Sequence, residues 1–271
     1  MTAGDLERAF DFVVRADMAG TRTESFRFGT LVRMPECPLR HDSNYLLVTN
    51  PDGADAAALA AEADRLLGGA GLAHRLVMFR DAAAGERLAG EFQALGWTLD
   101  RGVVMAQRRR PERAVDLSQV LETSDTQLRV ARRAQLLNEP WCTPETADQI
   151  LDARRHIPVV ARHFAVWLDA RPASWCELYL EDGTAQVEAV ATVERHRNRG
   201  LASAVVLRAV AEARAAGADL VFLVASADDW PRHLYRRLGF DEIGEYVKFR
   251  RTVSPVTDHG PQRHRATEKS S

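Results

Sequence analysis

The stretch VERHRNRGLA, residues 193–202, lies between a predicted strand and a predicted helix. The first amide hydrogens of a helix have no intrahelical partner, and the aligned peptide dipoles add partial positive charge there. Gly200 and Ala202 leave the backbone open to close approach, and three arginines alternate through the stretch. These features suit a diphosphate, but taken alone they suit a solvated basic loop before an ordinary helix equally well.

Strands and helices alternate on both sides of this stretch. Apolar residues recur every fourth position from Leu201 to Ala213, which predicts an amphipathic helix that ends at Gly217. The run LVFLVA, residues 220–225, is short and wholly apolar, as in a buried strand. The predicted elements of this half are two helices within 125–160 with a break near 138–140, a hairpin of 163–169 and 173–182, a strand at 186–193, a helix at 200–216, a strand at 220–225, a helix at 231–239 and a strand at 245–251.

The first half of the chain repeats this order. The sequence EFQALGW there matches LYRRLGF in the second half, with Phe92 and Tyr235 lying 143 residues apart. Such a repeat favours two related α/β halves, although a helix followed by glycine and an aromatic residue also recurs by chance. The predicted elements of this half are strands at 44–50, 74–79 and 100–109 and helices at 54–67 and 84–96.

A linker separates the two halves. Arginine, proline and glutamate at residues 110–112 mark the boundary, so we predict a first domain at 1–112 and a second at 113–251. Residues 252–271 are polar and lack apolar periodicity, which predicts a disordered tail.

Two motifs in the second half resemble those of the GNAT acetyltransferase family. Residues 197–202 match its pyrophosphate loop, Arg/Gln-x-x-Gly-x-Gly/Ala, and residues 234–240 match its signature Leu-Tyr-x-x-Leu-Gly-Phe. The resemblance covers about residues 115–250, whereas the first half resembles the family only in the order of its elements. It implies the GNAT fold, an α/β fold with a mixed sheet, in a tandem whose first half is degenerate.

The resemblance implies a site for acetyl-CoA between two splayed strands. By analogy with the family, the backbone of Ala191 and Val193 would pair with the pantetheine arm. Backbone amides would hold the pyrophosphate, and the residues that supply them would be Arg197, Asn198, Arg199, Gly200, Leu201 and Ala202. The implied reaction is direct transfer of the acetyl group to an amine of a small molecule or a protein, without a metal.

Two side chains are candidates for proton transfer in that reaction. Attack on the thioester requires a base to deprotonate the amine, and the departing sulfur benefits from an acid. Glu188 is the candidate base, acting through water, and strand alternation predicts that it shares a face with Val190 and Thr192; alternatively, it faces solvent or pairs with an arginine. Tyr235 is the candidate acid, and its alternative role is that of a core aromatic residue.

One position departs from the family pattern. Seven residues before the motif tyrosine, the family often has an asparagine that contacts the CoA arm, and this chain has Asp228. A carboxylate is less suited than an amide to an anionic cofactor, so we do not assign Asp228 to the cofactor site.

The first half lacks both features. No Arg-x-x-Gly-x-Ala loop follows its strand at 44–50, and Phe92 stands where the second half has Tyr235. We therefore predict that the first half does not bind acetyl-CoA but packs against the second half and shapes the acceptor pocket. Residues 42–44 (Asp-Ser-Asn) contribute either polar contacts to that pocket or ordinary turn chemistry.

Composition and charge supply the remaining expectations. Hydrophobic residues make up 46% of the chain and the formal net charge is −2, which indicates a globular protein and argues against nucleic-acid or anionic-membrane partners. The three cysteines are far apart, the histidines lack metal-ligand spacing, and we find neither a signal-peptide pattern nor a membrane span. We therefore expect a metal-free cytoplasmic protein, either a monomer or a homodimer.

Two other functions remain open on the sequence alone. One is a non-catalytic acyl-CoA-binding regulatory module with the same fold, and the other is a tandem GNAT enzyme similar to mycothiol synthase. The presence of both Glu188 and Tyr235 favours catalysis over the first. The length of the chain and the lack of an acceptor motif argue against the second.

Overall fold

The computed structural model describes residues 3–17, 21–228 and 230–252. The predicted disordered tail therefore lies, except for its first residue, outside the described part of the chain. That first residue, Thr252, is the end of the last strand.

The first half contains the predicted strands and helices together with three further elements. The predicted helix at 84–96 is divided at Leu88 into two short helices, and the predicted helix at 54–67 finishes in a π-helical turn, Asp64–Gly68. The elements are α1 (Ala3–Asp17), β1 (Arg22–Phe26), β2 (Gly29–Arg33), β3 (Tyr45–Val48), α2 (Ala56–Ala63), β4 (His74–Phe79), α3 (Ala82–Arg87), α4 (Ala89–Ala94) and β5 (Thr98–Gln107).

The second half contains every element that its sequence predicts, preceded by one additional strand. Ser124 begins α5 with a capping box that includes Gln127, and Thr143 caps α6 ahead of Pro144, so the predicted break between the two helices is present. The elements are β6 (Val120–Thr123), α5 (Asp125–Leu136), α6 (Pro144–Ala153), β7 (Val160–Leu168), β8 (Arg171–Glu181), β9 (Thr184–Thr192), α7 (Leu201–Ala215), β10 (Leu220–Ser226), α8 (Pro231–Arg237) and β11 (Phe240–Thr252).

A single mixed sheet of eleven strands connects the two halves, in the order β1-β2-β3-β4-β11-β5-β10-β9-β8-β7-β6. Strand β11 of the second half lies between β4 and β5 of the first, and β5 lies between β11 and β10. The mixed-sheet α/β fold class is therefore confirmed. The predicted boundary at residue 112 stays a prediction, and strands from both sides of it are hydrogen-bonded to one another.

Helices cover both faces of this sheet. In the second half, α7 packs its buried residues, among them Val205 and Val206, against β8 and β9. Helix α1 packs on the other face and reaches across the boundary, where Phe12 makes an edge-to-face contact with Phe222 of β10 at 5.7 Å. Contacts of this kind, together with the shared strands, fix the orientation of the two halves and hence the walls of the cleft described below.

Gly239 is a point of close approach between the halves. Its φ is +91°, and its carbonyl accepts hydrogen bonds from the amides of Arg108 and Arg109 at 2.9 and 3.0 Å. A Cβ at this position would lie 2.1 Å from the carbonyl oxygen of Arg109, a backbone atom that cannot move aside alone. Only glycine is therefore compatible with this junction.

We expect Gly239→Ala to reduce the free energy of unfolding by about 3 kcal/mol or more, because backbone strain and a backbone clash act together. Gly217→Ala is the matched control, since Gly217 has a similar φ of +86° but no atom within 4 Å of its added Cβ. It should lose only about 1 kcal/mol. Denaturant unfolding of the two variants measures the difference, and equal losses would contradict the proposed clash.

Candidate functional site

Strands β9 and β10 are paired at one end and separated at the other. Their parallel pairing covers three residue pairs, from Thr184 with Leu220 to Gln186 with Phe222. Beyond Gln186 the strands diverge, while β10 stays paired with β5 as far as Ser226. The carboxyl end of β9 therefore presents an edge to an open gap.

A β-bulge in β9 lies at the point where the gap opens. Glu188 pairs with Glu177 of β8 and Ala191 pairs with Trp175, so β9 has one extra residue, and Ala189 adopts a φ of +50°. Val187 and Val190 consequently pack in the same core cluster beneath α7, although they are three residues apart. Glu188 lies on the opposite face of the sheet. The prediction that Glu188 shares a face with Val190 and Thr192 is wrong, because simple alternation does not take a bulge into account.

The end of β9 remains bonded to β8. The Val193 amide donates to the carbonyl of Ala173 at 2.9 Å, and the carbonyl of Ala191 accepts a hydrogen bond from the Ser174 hydroxyl at 2.9 Å. Backbone groups of successive strand residues point to opposite edges. Thr192, between these two residues, therefore directs its amide and carbonyl toward the gap.

The loop after β9 leads to an open helix start. A 3₁₀ turn at 194–196 is followed by Asn198 and Gly200, with φ values of +61° and +75°. Helix α7 begins at Leu201, and its first intrahelical bond joins the Ala204 amide to the Gly200 carbonyl at 3.1 Å. The amides of the preceding turn thus have no intrahelical acceptor. A Cβ built on Gly200 would meet no atom within 4 Å, so the space in front of this turn is open.

A cleft of about 2010 Å³ brings these parts together. Its walls are the end of β9, the following loop, the first turn of α7, one side of α5 and α8, and residues 112–115 between the halves. The predicted cofactor residues Ala191, Val193, Arg197, Asn198, Gly200, Leu201 and Ala202 line it, and Arg199 lies exposed within the same loop. The volume exceeds the roughly 300–1000 Å³ of a typical small-molecule site, as a large nucleotide cofactor with a second substrate requires.

Tyr235 and Glu188 occupy different positions relative to the cleft. Tyr235 of α8 lines it, with 8% of its surface exposed and its ring packed edge-on to Phe240. On β9 the lining begins at Val190, two residues beyond Glu188. The Glu188 carboxylate accepts a hydrogen bond from Gln186 at 2.8 Å, and its pKa is raised, mainly by burial and secondly by the charge of Glu177.

Glu177, the fully buried partner of Glu188, was not predicted as a site residue. One oxygen of its carboxylate lies 2.9 Å from Arg132 and 2.8 Å from Arg154, and the other accepts a hydrogen bond from Tyr179. Burial alone would raise the pKa of Glu177, but the two arginines, together with the Tyr179 hydrogen bond and His163, outweigh burial and hold it below its usual value. The sequence signal that could have identified Glu177 is its position as the one charged residue in the otherwise largely apolar strand segment ASWCELYL.

The equivalent region of the first half has a different form. Strands β3 and β4 stay paired to the carboxyl end of β3, from Leu46 with Val77 to Val48 with Phe79. The first amides of α2 are occupied by carboxylates, since Asp55 accepts from Ala58 and Glu91 accepts from Ala56. That this half does not bind acetyl-CoA stays a prediction, and these contacts are its physical basis.

The polar residues 42–44 have structural partners. The Asn44 side chain donates to the carbonyls of Cys37 and Arg40 and accepts from the Met34 amide, at 2.9 to 3.1 Å. Asp42 pairs with Lys248, whose charge lowers the pKa of this carboxyl. These contacts favour turn chemistry over direct contact with an acceptor.

The described residues lack two further features. Within residues 3–17, 21–228 and 230–252, no cluster of three or more histidine, cysteine, aspartate or glutamate side chains is placed to hold a metal ion. No helix in the same ranges has the length and apolar character needed to cross a membrane. Asp228 lies exposed at the end of β10.

Comparisons with known proteins bear on this geometry. The sequence model of the Acetyltransferase (GNAT) family matches residues 127–240, which include the gap, the loop and Tyr235. Among curated proteins, none matches the sequence of this chain.

Several solved structures have the same fold. A conserved protein of unknown function from Staphylococcus epidermidis is similar with a TM-score of 0.67 and 14% identity, over 87% of this chain and 96% of its own. A GCN5-related N-acetyltransferase from Kribbella flavida has a TM-score of 0.55 and 18% identity, over 92% and 95%. A tandem GNAT protein of clavulanic acid biosynthesis has a TM-score of 0.51 and 16% identity, over 73% and 70%. These similarities show the GNAT fold, including its tandem form.

Proposed function

We propose that the chain transfers an acetyl group from acetyl-CoA to an amine, starting from the match of residues 127–240 to the sequence model of the Acetyltransferase (GNAT) family. The observation that carries the proposal is the gap between β9 and β10, which opens directly onto a glycine-containing helix start and onto Tyr235. An extended cofactor with a diphosphate at one end and a thioester at the other matches this arrangement.

The pyrophosphate is proposed to bind the amides of residues 197–202. The open space before Gly200 permits phosphate oxygens to approach the backbone, and the positive end of the α7 dipole stabilises them. Arg195, Arg197 and Arg199 are exposed around this turn and add positive potential. The position therefore favours a dianionic group over a neutral one.

The pantetheine arm is proposed to lie along the open edge of β9. The sequence assigned its backbone contacts to Ala191 and Val193, but the Val193 amide and the Ala191 carbonyl already have partners on or beside β8. We therefore assign the backbone contacts to Thr192, with Ala191 and Val193 contributing surface to the cleft. The amide groups of the arm would then extend the sheet as an additional strand does.

The chemistry is acyl transfer without a covalent enzyme intermediate. The amine nitrogen forms a bond to the thioester carbon, the carbonyl oxygen becomes an oxyanion, and its collapse breaks the carbon–sulfur bond. The bonding electrons leave with sulfur, which takes up a proton to become the CoA thiol. Two protons must leave the acceptor if it arrives as an ammonium ion, so a base and an acid are both useful.

Glu188 and Tyr235 are proposed for these two tasks. Glu188 lies behind the cleft wall, so it would receive the proton through a water chain, and its raised pKa makes it a stronger proton acceptor than an ordinary carboxylate. Tyr235 lines the cleft and has a hydroxyl that can donate to the leaving thiolate. The two groups approach the gap from β9 and from α8.

The first half is proposed to shape the acceptor side. The segment between β2 and β3 contacts the second half, where the Leu39 amide donates to Gln149 of α6 at 2.9 Å and Cys37 packs in a cluster with Ala153. Arg40 in the same segment lowers the pKa of Glu188, which places its charge near that carboxylate. An acceptor that reaches Glu188 would therefore meet residues of both halves.

Release of CoA thiol from acetyl-CoA in the presence of a panel of primary amines tests the proposal. We expect turnover that depends on the amine, and a rate that falls as pH drops through the raised pKa of Glu188, because the protonated carboxyl cannot accept a proton. Glu188→Gln should reduce kcat/KM by about 100-fold or more and remove this acid limb. Tight CoA binding without turnover for any amine would instead support a non-catalytic acyl-CoA-binding module.

A further inference from the structure

A buried cluster of charged side chains lies against Glu188 on the face of the sheet away from α7. Glu177 is its centre, directly opposite Glu188 in the β8–β9 pairing. Because paired residues of neighbouring strands project to the same face, the two carboxylates are neighbours. Glu177 is 0% exposed, so water does not screen its charge.

The cluster is electrically balanced without Glu188. Arg132 pairs with Asp125 as well as with Glu177, and Arg154 pairs with Glu177. Two carboxylates thus face two guanidinium groups. His163 contacts Arg132 at 3.1 Å, and burial lowers the pKa of its ring, which favours the neutral form. Ionisation of Glu188 would add a negative charge that this cluster does not neutralise.

The remaining groups near Glu188 do not reverse this balance. The Gln186 side chain and the Ala189 backbone amide donate hydrogen bonds to Glu188. Arg154 and Arg40 act on it through their charges, each more weakly than Glu177 does. Helix α1 also packs on this part of the sheet, but its arginines lie away from Glu188. Arg8 donates a hydrogen bond to Thr184 and Arg15 donates one to Glu181, toward the other end of β8 and β9. Glu177, directly opposite Glu188 in the β8–β9 pairing, therefore acts on it more strongly than either Arg154 or Arg40 does.

We propose that Glu177 is a positioning residue for acetyl transfer, because its charge, held in place by Arg132 and Arg154, makes the opposite carboxylate of Glu188 a stronger proton acceptor. The inference rests on the proposed function in which Glu188 is the base. A buried ion pair contributes little net stability in most proteins. A buried cluster with one uncompensated carboxylate beside a substrate cleft is instead typical of a tuned functional group.

The ionisation of Glu188 can be measured without any acceptor. The carboxyl carbon signals of glutamate-labelled protein are followed by NMR against pH, and the Glu188 signal is the one that Glu188→Gln removes. We expect Glu177→Gln to lower the titration midpoint of Glu188 by about 1 to 2 pH units, which is a 10- to 100-fold loss of proton affinity. The acid limb of kcat/KM should move by the same amount, while the affinity for CoA stays unchanged.

Two further variants distinguish charge from altered packing. Arg154→Gln removes a cation from the cluster and should move the midpoint of Glu188 upward, opposite to Glu177→Gln. Glu181→Gln is the matched control, because Glu181 is on the same strand but pairs with Arg15, and it should leave the midpoint unchanged. Thermal unfolding of each variant shows that it is folded.

The outcomes separate this inference from the function on which it rests. An unchanged midpoint in Glu177→Gln, or midpoints that move in the same direction in Glu177→Gln and Arg154→Gln, would overturn the role of Glu177. A midpoint that shifts while the acid limb of turnover stays in place would also overturn it, since Glu188 would then not be the group that limits the rate. Failure of the unsubstituted protein to bind CoA in calorimetry would overturn the proposed function independently of these variants.

Discussion

Gly200→Glu is expected to abolish detectable CoA binding, with a loss of affinity of at least about 100-fold. The added carboxylate would occupy the open space in front of the first turn of α7, where the pyrophosphate is proposed to bind. Two like charges about 5 Å apart repel by roughly 3 kcal/mol at the effective dielectric constant of a protein surface, which corresponds to more than 100-fold in affinity. The side chain also blocks approach to the backbone amides.

Gly217→Glu provides a closely matched control at the other end of the same helix. Gly217 follows α7, has a φ of +86° against +75° for Gly200, and has equally open space around its added Cβ. The two substitutions therefore introduce the same charge and similar backbone strain. Only the variant at Gly200 should lose CoA binding, as measured by isothermal titration calorimetry, while both lose a similar amount of stability.

An unaltered affinity of Gly200→Glu for CoA would place the pyrophosphate somewhere else. Equal losses in Gly200→Glu and Gly217→Glu would point to a general effect on α7. Either result would remove the basis for a cofactor site at residues 197–202, and the proposed acetyl transfer would lose its main support.

The local features of the second half were predictable from sequence because they depend on short-range physics. Apolar periodicity marks α7, proline and glycine mark the ends of α8, and small residues mark the helix start at Gly200. Each of these signals lies within one or two turns of chain. The predicted strands and helices of both halves are accordingly present.

Long-range pairing was not predictable in the same way. The insertion of β11 between β4 and β5 depends on contacts between residues more than 130 positions apart, such as Arg101 with Val247. Strands β1, β2 and β6 and helix α1 were missed because they are short, carry mixed polar residues or lie at the start of the chain. Their stability comes from tertiary packing more than from local propensity.

The bulge in β9 had the largest consequence for the candidate site. A single extra residue, Ala189, reverses the face on which Glu188 lies and brings it opposite Glu177. Nothing in the run QVEAVATV distinguishes a bulged strand from a regular one. Glu188 was therefore identified as a candidate by its chemistry, but its orientation and its charged neighbour required the structure.

The two halves show how one fold can present two different helix starts. In the first half, the carboxylates of Asp55 and Glu91 accept hydrogen bonds from the first amides of α2. In the second half, the N-cap is Gly200, which has no side chain to do this. A helix start that is satisfied internally repels a second anion, whereas an open one attracts it. The difference accounts for a predicted cofactor site in only one half.

Tyr235→Phe is expected to lower kcat by about 10- to 100-fold and to leave the affinity for CoA nearly unchanged. Removal of the hydroxyl leaves the ring packed against Phe240, so the wall of the cleft keeps its shape. The loss is proposed to fall on the departure of sulfur, because a thiolate leaves more readily when it receives a proton. The expected reduction in kcat lies toward the lower end of the range of rate effects typical of general acids, because a thiolate is already a good leaving group.

Tyr246→Phe is the control for this substitution. Tyr246 is buried to a similar extent, with 7% exposed, but it packs against Phe10 outside the cleft. Steady-state kinetics with saturating acetyl-CoA, together with calorimetric titration of CoA, should show a reduced kcat for Tyr235→Phe only. Parallel losses of kcat and CoA affinity in Tyr235→Phe would instead indicate a structural role. The distinction is decisive because a proton donor acts on the reacting sulfur, whereas a packing residue acts on every state of the bound cofactor equally.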